Sequence, residues 1–190
     1  MDLAGQTKGE TRRRLRAHRR HLAASRDLGA DAEAIADAIV GATPRGGTSS
    51  PGTVLSYESL PHEPPTTALN ACLQAAGHRV LVPTTLPDRR LEWCDLSDPE
   101  RSPLGIDAPA AADVAVIPAL AVDTTGTRLG QGGGCYDRVL PMLPAGTPVL
   151  VLLHPGEHTS ASLPRDPHDV AVTTVVTAAG VTEAGTPLRP

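Results

Sequence analysis

Short, almost wholly aliphatic runs, two of them closed directly by proline, recur through this chain, with helical periodicity at 66–76 and 134–143 between them. The runs at 54–55 (VL), 80–82 (VLV), 114–117 (VAVI) and 149–153 (VLVLL) do not alternate with polar residues. A strand that is apolar on both faces must be covered on both faces. This places the chain among α/β proteins with a mostly parallel sheet between helical layers. The reading predicts helices over 7–24, 32–40, 66–76 and 134–143, with Gly77 as a left-handed cap on the third. It predicts strands over 53–57, 79–82, 90–95, 113–117, 149–153 and 169–176, and a loop over 41–52. The expected architecture is a single three-layer α/β/α sandwich.

Length and composition narrow this further. The 190 residues suit one domain, with a core over about 8–181 and flexible tails at 1–6 and 182–190. The most apolar stretch, 148–153, is far too short to cross a membrane. The N-terminus lacks the apolar core of a secretion signal. Cys72, Cys94 and Cys135 are widely spaced and form no CxxC pair, which argues against a disulfide framework or a zinc knuckle and for a reducing cytoplasm. With one Trp, two Tyr and no Phe, the core must be aliphatic.

The most informative segment is 128–138, RLGQGGGCYDR. Gly130, Gly132, Gly133 and Gly134 precede a predicted helix. Without Cβ atoms the backbone can turn its N–H groups toward one point, where the helix dipole adds positive potential; together these cradle phosphate. The Asp137 carboxylate can hold a metal bound to those phosphates, and Arg128 and Arg138 can neutralise charge on either side. No Walker loop is present. A dinucleotide fingerprint fails because Cys135 stands at its third glycine and Leu150 at its ribose-binding acid.

The first helix is basic. Lys8, Arg12 and Arg19 fall at spacings of four and seven, with Arg16 between them, and project from one face able to grip a triphosphate. Lys8 is the only lysine among 17 lysines and arginines. A compact, flexible ammonium kept against such an arginine bias suits a role that the planar guanidinium fills poorly. Two other readings stay open: a solvated basic face, and an arginine-rich nucleic-acid-binding module. The net charge of −4 and the lack of interleaved aromatics weigh against the second.

Read together, these segments resemble the 5-formyltetrahydrofolate cyclo-ligase (methenyltetrahydrofolate synthetase) family. The resemblance rests on Lys8, Arg12 and Arg19; on 54–57 (VLSY), Glu63 and 77–83 (GHRVLVP); and on Ile117, Pro118, Asp123, Gly126 and the glycine loop with its Tyr136 and Asp137. It extends to Leu163, Pro164, His168, Asp169 and 175–177 (VVT). It implies the fold of sugar-phosphate isomerases and CoA transferases, and an ATP- and Mg²⁺-dependent ligase that cyclises 5-formyltetrahydrofolate. By the same resemblance Lys8, Arg12, Gly130, Gly132, Gly133, Gly134 and Tyr136 would bind ATP, with Lys8, Arg12 and Arg128 acting in catalysis. Glu63, Glu58 and Tyr136 would bind the folate, and Asp137 and Asp169 would hold Mg²⁺. A cytoplasmic monomer, without nucleic-acid or membrane partners, is expected; the alternative within the family is a non-catalytic nucleotide- or folate-binding homologue.

Three places depart from the family pattern. Cys135 stands where an aromatic is common, and Asp107 lies near a site where Glu precedes Pro. The stretch 154–158 (HPGEH) replaces one that carries an aromatic and a glutamine. Pro155 and Gly156 break any helix that would align His154 with His158, so this stretch is expected to be a plain loop.

Overall fold

The computed structural model describes residues 5–42, 52–166 and 169–184. Among them are helices α1 (Lys8–Ala24), α2 (Leu28–Ala42), α3 (Thr67–Ala75) and α4 (Cys135–Val139). The strands are β1 (Thr53–Leu55), β2 (Arg79–Thr85), β3 (Leu91–Asp95), β4 (Val114–Pro118), β5 (Ala121–Asp123) and β6 (Arg128–Leu129). They continue with β7 (Val149–Leu152), β8 (His158–Thr159), β9 (Thr174–Thr177) and β10 (Gly180–Glu183). Most of the predicted loop, residues 43–51, lies outside the described residues.

The main sheet has the order β10-β9-β7-β4-β1-β2-β3. Its five inner strands are parallel and both edge strands antiparallel. Successive residues of each aliphatic run enter opposite layers. Val54, Val80, Val116 and Leu152 pack with Ile35 and Ile39 of α2 and Leu69 and Leu73 of α3. Leu55, Leu81, Ile117 and Val151 pack on the other face with Trp93, Val139 and Leu140. This second layer is thinner: α4 has five residues and passes into a 3-10 turn, Leu140–Met142. The predicted helix over 134–143 is cut short because Pro141 has no N–H to extend it.

From β1 the chain passes through α3 to β2 on one side, whereas β4, β7 and β9 step away on the other. The order therefore reverses between β1 and β4. The crevice beyond the carboxyl ends of those strands is where ligands of open α/β sheets bind.

Strong local signals survive into the structure. Thr7 and Glu10 form a capping box that starts α1 at Lys8. Gly77, at φ 85°, ends α3 as predicted, with Gly77 N–H donating to the Gln74 carbonyl and His78 N–H to that of Leu73. β2 runs on through Pro83, which sits opposite Trp93, whose carbonyl accepts from Leu104 N–H instead; no ladder bond is lost there. The predicted strand over 169–176 is shorter: β9 starts at Thr174, because Val172 N–H is taken by the Gly126 carbonyl at 2.9 Å. β10 reaches Glu183, two residues into the predicted tail. The small sheet β6-β5-β8 and the β9–β10 hairpin were not anticipated.

Candidate active site

The crevice between β1 and β4 opens into a cavity of about 660 Å³. One wall comes from the β1–α3 loop, which supplies Tyr57, Glu58, Leu60 and Glu63. This loop is latched to α3: Thr66 Oγ1 and Asn70 Nδ2 both donate to the Tyr57 carbonyl, at 2.7 and 3.1 Å, and Ser56 Oγ lies 2.6 Å from Asn70 Oδ1. Tyr57 is thereby fixed at the strand end with its hydroxyl buried and unpartnered among the described residues. Burial raises its pKa well above the ordinary value, and the charge of Glu63 adds to the effect. Tyr136 is raised for the same two reasons, in the same order.

The opposite wall is the glycine loop, and α1 holds it in place. Arg12 Nε donates to the Gly130 carbonyl at 3.1 Å; Arg16 donates to the Gln131 carbonyl at 2.6 Å and to its side-chain oxygen at 2.9 Å. Gly132 has φ +106°, and a Cβ there would lie 3.3 Å from Arg12 Nε, so only glycine lets the guanidinium lie this close to a backbone in that conformation. With two carbonyls tied to arginines, the loop's N–H groups have no partner among the described residues. A run of unbonded amides beside cations is suited to hold an anion.

The turn that feeds this loop is built around Asp123. Its carboxylate accepts from the N–H groups of Thr125, Thr127 and Leu163, and from Thr125 Oγ1. Burial raises its pKa, but these bonds outweigh burial and hold it below the usual carboxylate value. Gly126, at φ +81°, lies so close to the next segment that a Cβ would fall 2.2 Å from the Val172 carbonyl oxygen.

Most residues singled out from the sequence as site candidates border this one cavity, whereas Arg16, Arg19 and Arg138 do not line it. Lys8, Arg12, Arg128 and Tyr136 line it with Gly130 and the three glycines at 132–134; so do Glu58, Glu63, Asp137 and Asp169. Several have partners that the sequence did not announce. Lys8 Nζ bonds Asp166 Oδ2 at 2.7 Å and Asp169 Oδ2 at 2.6 Å. Burial would lower its pKa, but the two carboxylates outweigh it and hold the ammonium above its ordinary value. Arg128 Nη2 bonds Asp137, and Glu58 forms an exposed pair with Arg101 at 3.0 Å.

Arg19 departs from the expected row of phosphate-facing cations. The buried stripe of α1 is Thr11, Leu15, Arg19 and Ala23, so Arg19 turns inward with only 3% exposure. It makes a two-pronged bond to Glu157, with both contacts 2.7 Å, and donates to the Ala119 carbonyl. Its remaining Nη1 stands 3.9 Å from Glu63 Oε1. Glu63 in turn accepts from Leu60 N–H at 3.0 Å. The expected plain loop over 154–158 is a turn at Pro155 and Gly156 that leads into β8 at His158, which pairs with Val122 of β5. The His154 ring nitrogen donates to the His62 carbonyl at 3.0 Å, so this stretch braces the β1–α3 loop.

Among the described residues no three His, Cys, Asp or Glu side chains converge as a metal cluster. The cavity offers two carboxylates, Asp137 and Asp169, next to the anion site. Hard oxygen donors in that number suit Mg²⁺, which takes most of its shell from phosphates and water.

A sequence model of the 5-formyltetrahydrofolate cyclo-ligase family matches residues 4–178. A protein of Mycolicibacterium smegmatis named 5-formyltetrahydrofolate cyclo-ligase is 35% identical over 142 residues, 66% of this chain and 73% of that protein. Two solved structures share the fold. A 5,10-methenyltetrahydrofolate synthetase from Mycoplasma pneumoniae superposes with a TM-score of 0.72 at 20% identity, over 91% of this chain and 99% of that one. The Aquifex aeolicus 5,10-methenyltetrahydrofolate synthetase gives 0.69 at 19% identity, over 97% and 96%. Because the matched sequence span takes in the first-helix cations, the β1–α3 loop, the glycine loop and Asp169 together, this chain belongs to the 5-formyltetrahydrofolate cyclo-ligase family, enzymes of the ligase class.

Proposed function

We propose that this chain closes 5-formyltetrahydrofolate to 5,10-methenyltetrahydrofolate while cleaving ATP to ADP and phosphate. The observation that carries the reading is the two-sided cavity. Unbonded loop amides with Lys8, Arg12 and Arg128 stand on one wall, and buried polar groups in an apolar setting, Tyr57 and Glu63, on the other. The first suits a phosphate chain and the second the hydrogen-bonding edge of a flat heterocycle.

A formamide oxygen is a poor nucleophile and a poor leaving group. Attack of that oxygen on the γ-phosphorus expels ADP and makes an iminium phosphate. Nitrogen 10 of the folate then bonds to the activated carbon and gives up its proton. Cleavage of the carbon–oxygen bond releases phosphate and leaves the methenyl bridge. No protein nucleophile is required, so the chain's own part is positioning and charge neutralisation. Lys8, Arg12, Arg128 and the amides of the glycine loop would hold the phosphates. Glu63, Tyr57 and Tyr136 would orient the folate with Glu58 at its rim, and Leu60, Pro83 and Leu91 would keep water from the reacting atoms. Asp137 and Asp169 would hold Mg²⁺, which supplies charge neutralisation on the transferred group.

The test is an absorbance trace for methenyl-folate formation from 5-formyltetrahydrofolate, with and without ATP and Mg²⁺. Product is expected only when both are present. Formation at an undiminished rate without ATP overturns the ligase reading, and an undiminished rate in EDTA overturns the metal assignment alone.

A further inference from the structure

The cavity holds one cation that neither the fold nor the proposed site has yet employed. Lys8 is paired with Asp166 and Asp169, Arg12 with the Gly130 carbonyl and Arg128 with Asp137. Arg89 also lines the cavity, and its guanidinium has no hydrogen bond or ion pair among the described residues. It comes from the tip of the β2–β3 hairpin, far from α1 and α4 in the sequence.

The tip is held in place even though the side chain is not. Arg89 N–H donates to the Leu86 carbonyl and Leu86 N–H to that of Arg90, both at 2.9 Å. The neighbouring Asp88 and Arg90 pair with each other at 2.6 Å. Arg138, in α4, donates to the Arg89 carbonyl at 3.1 Å, tying the hairpin to the helix that follows the glycine loop. Arg89 itself sits at φ 69°, a left-handed backbone that a long side chain rarely adopts without support from its surroundings. From there its Nη1 reaches within 3.8 Å of where a Cβ on Gly133 would stand, while Arg12 Nε lies 3.3 Å from the corresponding position on Gly132. Two guanidiniums from separate elements thus flank adjacent glycines of the loop. One is anchored to the loop's backbone and one is uncommitted.

We infer that Arg89 is a further anion-binding residue of this site, closing over the glycine loop onto the phosphate chain of bound ATP. The inference rests on the nucleotide reading proposed above and names a residue which that reading does not contain. A guanidinium delivered by a hairpin tip matches phosphate oxygens in a two-pronged fashion and needs only side-chain rotation to engage. The apolar stem of Arg89 has no packing role that the fold depends on.

The test uses the full chain with Arg89→Asn and Arg89→Lys. Asparagine removes the charge yet tolerates the left-handed backbone. Dissociation constants for ATP with Mg²⁺, and separately for 5-formyltetrahydrofolate, are measured by calorimetry, with melting temperatures alongside. Arg89→Asn is expected to weaken ATP on the order of tenfold to hundredfold, the usual effect of losing a charge-assisted contact. Folate affinity and melting temperature should be unchanged, and Arg89→Lys should recover part of the loss. ATP affinity within twofold of the parent overturns the inference. So does weakened folate binding with ATP unaffected, which would make Arg89 a clamp for the folate's carboxylates. A parent chain that binds no ATP overturns the nucleotide reading itself, and Arg89's role with it.

Discussion

Lys8 Nζ sits 2.6 Å from Asp169 Oδ2, joining the first residue of α1 to a segment 161 positions further along the chain. Asp166 shares the same ammonium at 2.7 Å. Two of the three N–H donors of the ammonium are thereby occupied, which leaves one that a phosphate oxygen could accept.

Lys8→Ala is expected to lower kcat/KM by roughly 30- to 1000-fold, the loss of a contact worth about 2–4 kcal/mol in the transition state. Folding should persist, because Lys8 makes no apolar contact that the core needs. Lys8→Arg should recover part of the activity. Steady-state kinetics with circular dichroism decides; activity within about threefold of the parent, only roughly 0.7 kcal/mol, removes Lys8 from the phosphate site.

Glu63→Gln keeps an acceptor for Leu60 N–H but removes a charge from the folate wall. The KM for 5-formyltetrahydrofolate should rise about tenfold or more while that for ATP stays within about twofold. Equal changes in both would assign Glu63 to the support of the loop.

The buried pair of Arg19 and Glu157 invites a double-mutant cycle. Glu157→Leu leaves the Arg19 guanidinium buried without its main partner and should cost about 3–5 kcal/mol. Arg19→Met with Glu157→Leu should cost less than the sum of the single changes, because neither charge is then stranded. Urea denaturation of the four proteins measures the coupling; strict additivity would mean the pair is not coupled.

Asp123 should make stability fall with acid. Its native pKa lies below the ordinary 3.8, so its contribution is present above that value and is lost as pH falls through the native one. The parent's urea midpoint should drop between about pH 5 and pH 3. Asp123→Asn should be less stable at neutral pH by about 1–3 kcal/mol and flatter over the acid range, since it lacks this titration. A parallel pair of pH curves would show that other carboxylates govern acid unfolding.

Helix caps, turn residues and runs of like side chains act over a few residues, and these were legible without a structure. The left-handed Gly77 and the doubly buried aliphatic runs follow from local chemistry. So does the glycine loop, because an accumulation of residues without Cβ atoms is itself the signal. What local chemistry does not specify is the partner of a long polar side chain. Lys8, Arg12 and Arg19 share a helical face by spacing. Yet the buried stripe of α1, with Leu15 and Ala23, takes Arg19 inward to Glu157, while Arg12 lies on Gly130 and Lys8 on Asp169. Arg89 carried no motif, and Tyr57 entered only as the last residue of 54–57 (VLSY), with no role assigned to it. The hairpin tip brings the first over Gly133, and the latch from Thr66 and Asn70 holds the second in the cavity. Register, burial and the reversal of strand order between β1 and β4 are sums over contacts between distant segments. For that reason only the tertiary structure decided which of the charged residues face the cavity and which hold the walls around it.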